Sequence, residues 1–178
     1  MAKTTTAETL RFTVIPTRIG FIGLVATPRG VRRTYLPTRT EAELRRQIRM
    51  DFAGATEDKR LLPGLVKKLK QYVAGEAVTF DEPIDWSWAG DFEAAVWKAC
   101  HRVGFGATTS YGELADAIGC PGAARAVGTA LGKNPFPILV PCHRVLKSDG
   151  SIGGWSGPGG LDQKRMMLDL EAAAMMTS

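Results

Sequence analysis

The stretch ILVPCHRV, residues 138–145, is the most informative part of the sequence. Its apolar first half predicts a strand, and Pro141 predicts a turn that presents the thiol of Cys142 beside the imidazole of His143. A cysteine attacks as its thiolate, and an ordinary thiol is mostly protonated at neutral pH unless a base or a cation lies close to it. His143 can act as either. The stretch therefore predicts a nucleophile, and the alternative is a buried cysteine that adjoins a histidine by chance.

The other cysteines and the second histidine favour structural roles. Cys100 and His101 lie in a helical pattern, so we expect Cys100 in the core and His101 at the surface. Cys120 lies in a turn between two helices, and we interpret it as inert. Three cysteines without metal-like spacing argue against a disulfide framework and favour a reducing, cytoplasmic compartment. Residues 1–99 contain no cysteine or histidine, so we expect no zinc site there.

Composition and charge are those of a globular protein. The 178 residues are 44% hydrophobic and 23% charged, and charged side chains interrupt every apolar run, so we expect no membrane span. The formal net charge is +5, and the whole excess lies in residues 1–85. In the neutral second half, residues 117–148 lack acidic residues, which is a weak signal of nucleic-acid binding. The basic residues of this window are Arg125, Lys133, Arg144 and Lys147.

The first half of the chain predicts a lobe of mixed α and β structure. Alternating and continuous apolar runs predict three antiparallel strands, and apolar residues at helical spacing predict two helices after them. Residues 81–90, with their acids, a proline and two tryptophans, indicate a boundary between two lobes. The predicted strands cover residues 10–14, 19–26 and 31–36, and the predicted helices cover residues 44–52 and 65–73.

The second half of the chain predicts mostly helices. The first covers residues 92–103, with Asp91 as its cap. Ser110 can cap a short helix, a glycine turn follows at residues 119–122, and a further helix ends before Asn134. A helix, a glycine turn and a helix are typical of a helix-turn-helix, although two packed helices without a DNA role give the same pattern.

Several motifs in a fixed order resemble one known family. The stretch PCHRV at residues 141–145 follows GKNP at residues 132–135 and GAARAVG at residues 122–128. With SYGELA at residues 110–115, these motifs resemble the O6-alkylguanine-DNA alkyltransferase family. The pairs Lys164-Arg165 and Leu170-Glu171 extend the resemblance toward the end of the chain.

The resemblance implies an α+β fold with two parts. Residues 1–88 would form an N-terminal ribonuclease-H-like α/β lobe, for which the resemblance is loose. Residues 89–178 would form a mostly helical C-terminal domain that binds DNA through a helix-turn-helix and transfers the alkyl group. The implied protein is a monomer without a cofactor, located in the cytoplasm and at the nucleoid if bacterial.

The resemblance also implies a reaction. Cys142 would take an alkyl group from O6 of guanine in one displacement, with His143 as a general base acting through a water and Glu171 orienting the imidazole. Because water does not readily cleave a thioether and no second nucleophile is evident, each molecule would react once. Asn134 would act as a hinge beside the nucleophile. The remaining groups would contact guanine: Tyr111 at N3, the Ser156 amide and Lys164 at O6, and the carbonyls of Cys142 and Val145 at the exocyclic amine.

The implied partner is double-stranded DNA that carries O6-alkylguanine. A thiol inside a protein cannot reach a stacked base, so the nucleotide must be flipped out. Arg125 would insert where the base was, and a face of small residues would let its helix approach the minor groove, whose poor readout suits repair at any sequence. The residues implied on this surface are Tyr111, Ala123, Ala124, Arg125, Ala126, Gly128, Ala130 and Lys133.

The implied alkyl pocket contains Pro137, Val145, Trp155 and Ser156. Trp155 stands where relatives often have tyrosine, and the following glycine-rich stretch is longer, so the tolerated alkyl size is open. Two other functions remain as alternatives. One is a non-enzymatic module that recognises alkylated DNA, and such modules lack the reactive thiol that this chain keeps. The other is a helix-turn-helix regulator with an incidental thiol.

Overall fold

The computed structural model describes residues 9–157 and 159–176 of the chain. Within them the fold is α+β, with a four-stranded sheet and two helices in the first half and mostly helices in the second half. The described parts contain no helix with the length and apolarity that a bilayer-spanning helix requires.

The sheet contains the three predicted strands, and these predictions are confirmed. The strands pair antiparallel in sequence, and a fourth strand of two residues pairs parallel with the first. The fourth strand was not predicted, because two residues show no periodicity. Gly20 and Gly30 have φ of 120° and 137° in the two hairpin turns, a conformation that favours glycine. The strands are β1 (Arg11–Thr17), β2 (Gly20–Thr27), β3 (Gly30–Thr38) and β4 (Thr56–Glu57), in the order β3-β2-β1-β4.

Two helices cover the two faces of this sheet, as the continuous apolar run of β2 requires. Helix α1 (Glu41–Asp51) packs Leu44 and Ile48 against Val25 on one face. Helix α2 (Pro63–Val73) belongs with Leu24 to the larger core cluster, which continues into the second half of the chain. Both predicted helices are confirmed.

The described part of the second half contains four α-helices and a short parallel pair of strands. The Ser110 side chain accepts from the backbone N–H of Glu113, whose carboxylate accepts from the N–H of Ser110, so the predicted cap is confirmed. The predicted cap at Asp91 is wrong, because Gly90 occupies that position and Asp91 is already helical. The elements are α3 (Asp91–His101), β5 (Thr109–Ser110), α4 (Tyr111–Ala117), α5 (Ala124–Gly132), β6 (Val145–Leu146) and α6 (Gly160–Met176).

The strand predicted at the start of residues 138–145 is wrong. The segment before Pro141 forms a compact turn, in which the N–H of Val140 donates to the carbonyl of Phe136. Ile138 has a φ of 76°, which an extended strand does not allow. The chain then makes one turn of 3₁₀-helix at Cys142–Arg144. These apolar residues are buried in the core, and their burial rather than a strand explains the pattern.

Strand β3 joins the two halves of the chain. At its start, Val31 exchanges backbone hydrogen bonds with Pro83 and Asp85. Further along, Thr34 donates from its N–H to the carbonyl of Pro135 at 3.0 Å and from its hydroxyl to the carbonyl of Pro137 at 2.8 Å. The sheet edge therefore holds the segment that leads into the 3₁₀ turn.

Candidate active site

Cys142 is the first residue of the 3₁₀ turn and lines a cavity of about 1150 Å³. It is half-buried, and the amide nitrogen of Asn134 lies 3.3 Å from its sulfur. The same nitrogen donates to the carbonyl of Val140 at 2.8 Å, and the amide oxygen accepts from the N–H of Phe136. Asn134 thus ties the end of α5 to the turn that holds the nucleophile.

His143 is fully buried and forms a short hydrogen bond with Glu171. Its Nε2 lies 2.6 Å from Oε1 of Glu171, which α6 contributes. Its Nδ1 is buried and forms no hydrogen bond with the described residues. Because an ionised carboxylate accepts hydrogen bonds, we assign the proton of the neutral imidazole to Nε2, which leaves the lone pair on Nδ1.

Glu171 is held by more groups than the sequence indicated. The guanidinium of Arg144 donates to both carboxylate oxygens, at 3.0 Å to Oε2 and 2.9 Å to Oε1. The hydroxyl of Tyr72 donates to Oε1 at 2.8 Å, and the N–H of Gly106 donates to Oε2 at 3.1 Å. Burial alone raises the pKa of Glu171, but the hydrogen bonds from His143 and Arg144 lower it to about 2. Glu171 is therefore an anion at neutral pH.

The thiol and the imidazole are both neutral at rest. Burial raises the pKa of Cys142, although the Asn134 amide and the positive charge of Lys164 oppose this shift. Burial also lowers the pKa of His143, although Glu171 opposes that shift. The site thus pairs a protonated thiol with a neutral imidazole that can accept a proton when the sulfur reacts.

Two residues of this cluster were missed by sequence reasoning. Arg144 was counted in the basic window of residues 117–148, but its side chain is buried against Glu171 and its Nη1 donates to the carbonyl of Val103. Tyr72 was predicted only as one of the apolar-face residues of the helix over residues 65–73. An arginine inside an apolar segment is a signal that could have indicated a buried partner, whereas the sequence gives no signal for the Tyr72 contact.

Most of the predicted pocket and DNA-facing residues share the wall of the same cavity. Trp155 and Ser156 reach it from the loop before α6, and the Ser156 hydroxyl donates to the carbonyl of Gly132 at 2.7 Å. Arg33 and Arg39 from the first half also line it, which was not predicted. The predicted residues in the wall are Tyr111, Ala124, Arg125, Gly128, Lys133, Asn134, Pro137, Cys142, Trp155 and Ser156.

The loop before α6 approaches Tyr111 closely. A β-carbon at Gly153 would lie 2.5 Å from the Tyr111 hydroxyl oxygen, so any larger residue there would displace the Tyr111 ring. On the other side, a β-carbon at Gly128 would only just touch the ring. Tyr111 is therefore packed between α5 and the loop.

The residues of α5 and its N-terminal cap that were predicted to face DNA differ in their exposure. Arg125 and Ala126 are exposed, and Ala123 and Ala124 are half-buried. The expectation that Ala130 belongs to the outer face is wrong, because it is buried and its carbonyl accepts from Nε1 of Trp97 at 2.9 Å. Lys133, just after the helix, is exposed and lies 3.5 Å from a carboxylate oxygen of Glu93.

Lys164 and Val145 are buried and are not among the residues that line the cavity. Lys164 is fully buried, and its ammonium donates to the carbonyl of Val145 at 2.7 Å and lies 5.8 Å from the centre of the Tyr111 ring. That carbonyl keeps a second lone pair, as does the carbonyl of Cys142, which accepts from the N–H of Val145.

The structure also locates the other two cysteines and the second histidine. Cys100 is fully buried in the core, as predicted. His101 is half-buried at the surface, and its Nδ1 lies 2.6 Å from the carbonyl of Leu139, a contact that was not predicted. Cys120 is half-buried in the turn between α4 and α5.

Comparisons with known proteins identify the family. Residues 91–173 match the family described as 6-O-methylguanine DNA methyltransferase, DNA binding domain. A methylated-DNA–protein-cysteine methyltransferase from Mycolicibacterium paratuberculosis is 44% identical over 143 residues, which cover 80% of this chain and 77% of that protein. Two solved structures are also similar. Mycobacterium tuberculosis OGT in complex with DNA has 38% identity and a TM-score of 0.75, over 92% of this chain and 94% of that chain.

The second solved structure is an O6-methylguanine-DNA methyltransferase from Pyrococcus kodakaraensis, with 26% identity and a TM-score of 0.64, over 91% of this chain and 98% of that chain. The agreement covers both halves of the chain, and the part that matches the family description includes Cys142, His143 and Glu171. The match and the identity over most of the chain show that this chain belongs to the family of methylated-DNA–protein-cysteine methyltransferases.

Proposed function

We propose that the protein repairs DNA by moving the alkyl group from O6 of guanine to the sulfur of Cys142. The observation that carries this proposal is the position of that sulfur in the wall of a large cavity, next to the His143 and Glu171 pair. The bond between carbon and sulfur forms as the bond between carbon and O6 breaks. The thiol proton passes to His143 through a water. The departing guanine anion is stabilised by donors at O6 and N3, and the restored base carries on N1 one proton taken from solvent, which balances the proton that the thiol released.

The base function of His143 is supported by its tautomer. With the Nε2 proton bonded to Glu171, the Nδ1 lone pair is the proton acceptor. Glu171 orients the ring and stabilises the imidazolium that forms, while Arg144 keeps the carboxylate ionised. The product is a thioether and the described site contains no second nucleophile to cleave it, so each molecule reacts once.

Recognition of O6-alkylguanine is assigned to groups around the cavity. Tyr111 would donate to N3 and the amide of Ser156 to O6, where negative charge develops. The carbonyls of Cys142 and Val145 would accept from the exocyclic amine. Lys164, bonded to the Val145 carbonyl, would add positive charge behind the leaving oxygen. Pro137 and Trp155 would bound the alkyl group.

The DNA surface is assigned to α4, its glycine turn and α5, as a helix-turn-helix whose second helix enters the minor groove. Gly119 and Gly122 in the turn have φ of 74° and 82°, and the two helices pack on each other. Arg125 would fill the space left by the flipped base, with Lys133 near the backbone. Ala123, Ala124, Ala126 and Gly128 would allow the close approach.

We also assign residues 1–88 to a ribonuclease-H-like lobe and residues 89–178 to the transfer domain. The protein would act as a monomer in the cytoplasm, at the nucleoid if the source is bacterial. A single displacement uses one copy of Cys142 and consumes no cofactor, and this supports the assignment of a monomer that acts without a cofactor.

The proposal is tested by intact mass after incubation with duplex DNA that carries O6-methylguanine. We expect a single gain of one methylene group, complete at one equivalent of lesion. Cys142→Ala should abolish the gain, and Cys120→Ala, which removes another half-buried thiol, should retain it. Repeated turnover would contradict the single-use mechanism. Tight lesion binding without an adduct would favour the recognition module instead.

A further inference from the structure

Tyr72 reaches the site from the first half of the chain. Its hydroxyl donates to Oε1 of Glu171 at 2.8 Å, and its oxygen lies 3.2 Å from Nε2 of His143. The side chain is 2% exposed. Its ring packs edge-on against Phe80 and Phe105, with centroid distances of 6.0 Å and 6.1 Å, so the hydroxyl is held in place.

Packing alone does not explain a tyrosine at this position. The other buried residues of α2 are Leu65, Leu69 and Val73, which are apolar. A phenylalanine would fill the same space, and a buried hydroxyl is unfavourable unless it is hydrogen-bonded. Burial, together with the negative charge of Glu171, raises the pKa of Tyr72, so the hydroxyl keeps its proton.

The hydroxyl contacts both members of the catalytic pair. Arg144 also binds Glu171, but among the described residues only Tyr72 lies within hydrogen-bond distance of both Oε1 and Nε2. Its proton points to the carboxylate, so its oxygen lone pairs are free to face the Nε2 proton. The other charged groups that act on His143 are Arg144 and Lys164, which both oppose its protonation.

We propose that Tyr72 is a positioning residue, which holds the imidazole of His143 with its proton on Nε2 and its Nδ1 lone pair toward Cys142. The first half of the chain thereby contributes a group to the chemistry performed by the second half. This inference rests on the proposed function, because it assigns His143 as the base of the alkyl transfer.

The first test is Tyr72→Phe, measured as the rate of methyl transfer at saturating lesion DNA. We expect the rate to fall by about tenfold, a part of what a general base contributes. Lesion affinity, measured in a Cys142→Ser background, should not change. The control is Tyr35→Phe, which removes a hydroxyl that donates to Asp51 at the same 2.8 Å in the same half of the chain. It should leave the rate at saturating lesion DNA unchanged, because the hydroxyl of Tyr35 bonds to Asp51 and to none of Cys142, His143 and Glu171.

A second test uses nuclear magnetic resonance, and its first measurement needs only the wild-type protein. The Nε2 proton of His143 should show a nuclear Overhauser contact with the ring protons of Tyr72. In Tyr72→Phe this proton resonance should shift, whereas in Tyr35→Phe it should stay in place.

The outcomes separate this inference from the function on which it rests. If the wild-type protein forms no adduct, the proposed function fails. If it forms the adduct and Tyr72→Phe forms it equally fast, only the role of Tyr72 is overturned. Absence of the Overhauser contact also overturns that role. A slower rate with unchanged lesion affinity and a shifted resonance supports it.

Discussion

Arg144 and Glu171 form a buried ion pair in which the guanidinium contacts both carboxylate oxygens. Glu171 also contacts the imidazole of His143, so its carboxylate pairs with two cations when the imidazole is protonated. A buried charge that loses its partner is costly. The stability of the second half of the chain is thereby linked to the ionisation of a residue that also serves the chemistry.

Acid should unfold the protein partly through Glu171. The folded pKa of about 2 lies below the ordinary 4.5, so its contribution is complete above pH 4.5 and is lost as the pH falls toward 2. This shift corresponds to about 3 kcal/mol of the free energy of unfolding at neutral pH. The measurement is urea unfolding of wild type and Glu171→Gln from pH 7 to pH 2.5. The two curves should converge as the pH falls, and a constant separation would contradict the prediction.

The pH dependence of transfer should reflect a neutral base and a neutral thiol. Burial lowers the pKa of His143 from 6.5, so the rate should fall only below about pH 6.5, as the imidazole becomes protonated. Burial raises the pKa of Cys142 above 9.0, so thiolate does not accumulate by itself at neutral pH. In His143→Ala we expect a slow rate that rises with pH beyond 9. Single-turnover kinetics measure both profiles, and a flat profile for this variant would argue against the base role.

The sequence predicted the elements that periodicity controls. The first strand was predicted from alternating apolar residues and the second from a continuous apolar run, and the Ser110 cap follows from local hydrogen bonding. The apolar segment before Pro141 was misread as a strand, because burial in a tight turn and burial in a strand leave the same composition. Ile138 at positive φ has no sequence signature.

The residues of the candidate site that lie in recognisable sequence motifs were predicted, and those that only the fold brings to the site were not. Cys142 and His143 were predicted from residues 138–145 alone and Glu171 through the family resemblance, and the structure brings His143 and Glu171 within 2.6 Å. Tyr72 lies 99 residues from Glu171 along the chain, and only the folded core brings them together. Arg144 was counted only in a basic window that weakly signals nucleic-acid binding, because charge counting carries no information on burial.

Arg125→Ala should weaken transfer from duplex DNA more than transfer from the free modified base. Flipping costs a few kcal/mol, and only the duplex substrate requires it. The measurement compares the two rate constants for each variant at matched salt. Lys67→Ala is the control for losing one exposed positive charge, since Lys67 lies on α2 away from the cavity. Equal losses on both substrates would contradict the assignment of Arg125.

Thr34→Val should affect both stability and rate, because Thr34 ties the sheet edge to the segment that carries Asn134. Its hydroxyl bond to the carbonyl of Pro137 is partly buried, and its loss should cost about 1 kcal/mol in the free energy of unfolding. Pro135 and Pro137 flank the residue that Asn134 binds, so looser tethering should let the Asn134 amide drift from the sulfur of Cys142.

The matched control for Thr34 is Thr27→Val. The hydroxyl of Thr27 also joins the sheet to a later segment, at 3.0 Å to Asp85, but that segment belongs to the boundary at residues 81–90 and does not carry the active-site turn. Both variants should lose similar stability in urea unfolding, and only Thr34→Val should slow methyl transfer at saturating lesion DNA. If Thr27→Val slows transfer to the same degree, the effect is a general loosening of the two halves. If neither variant slows it, the sheet edge does not position the nucleophile.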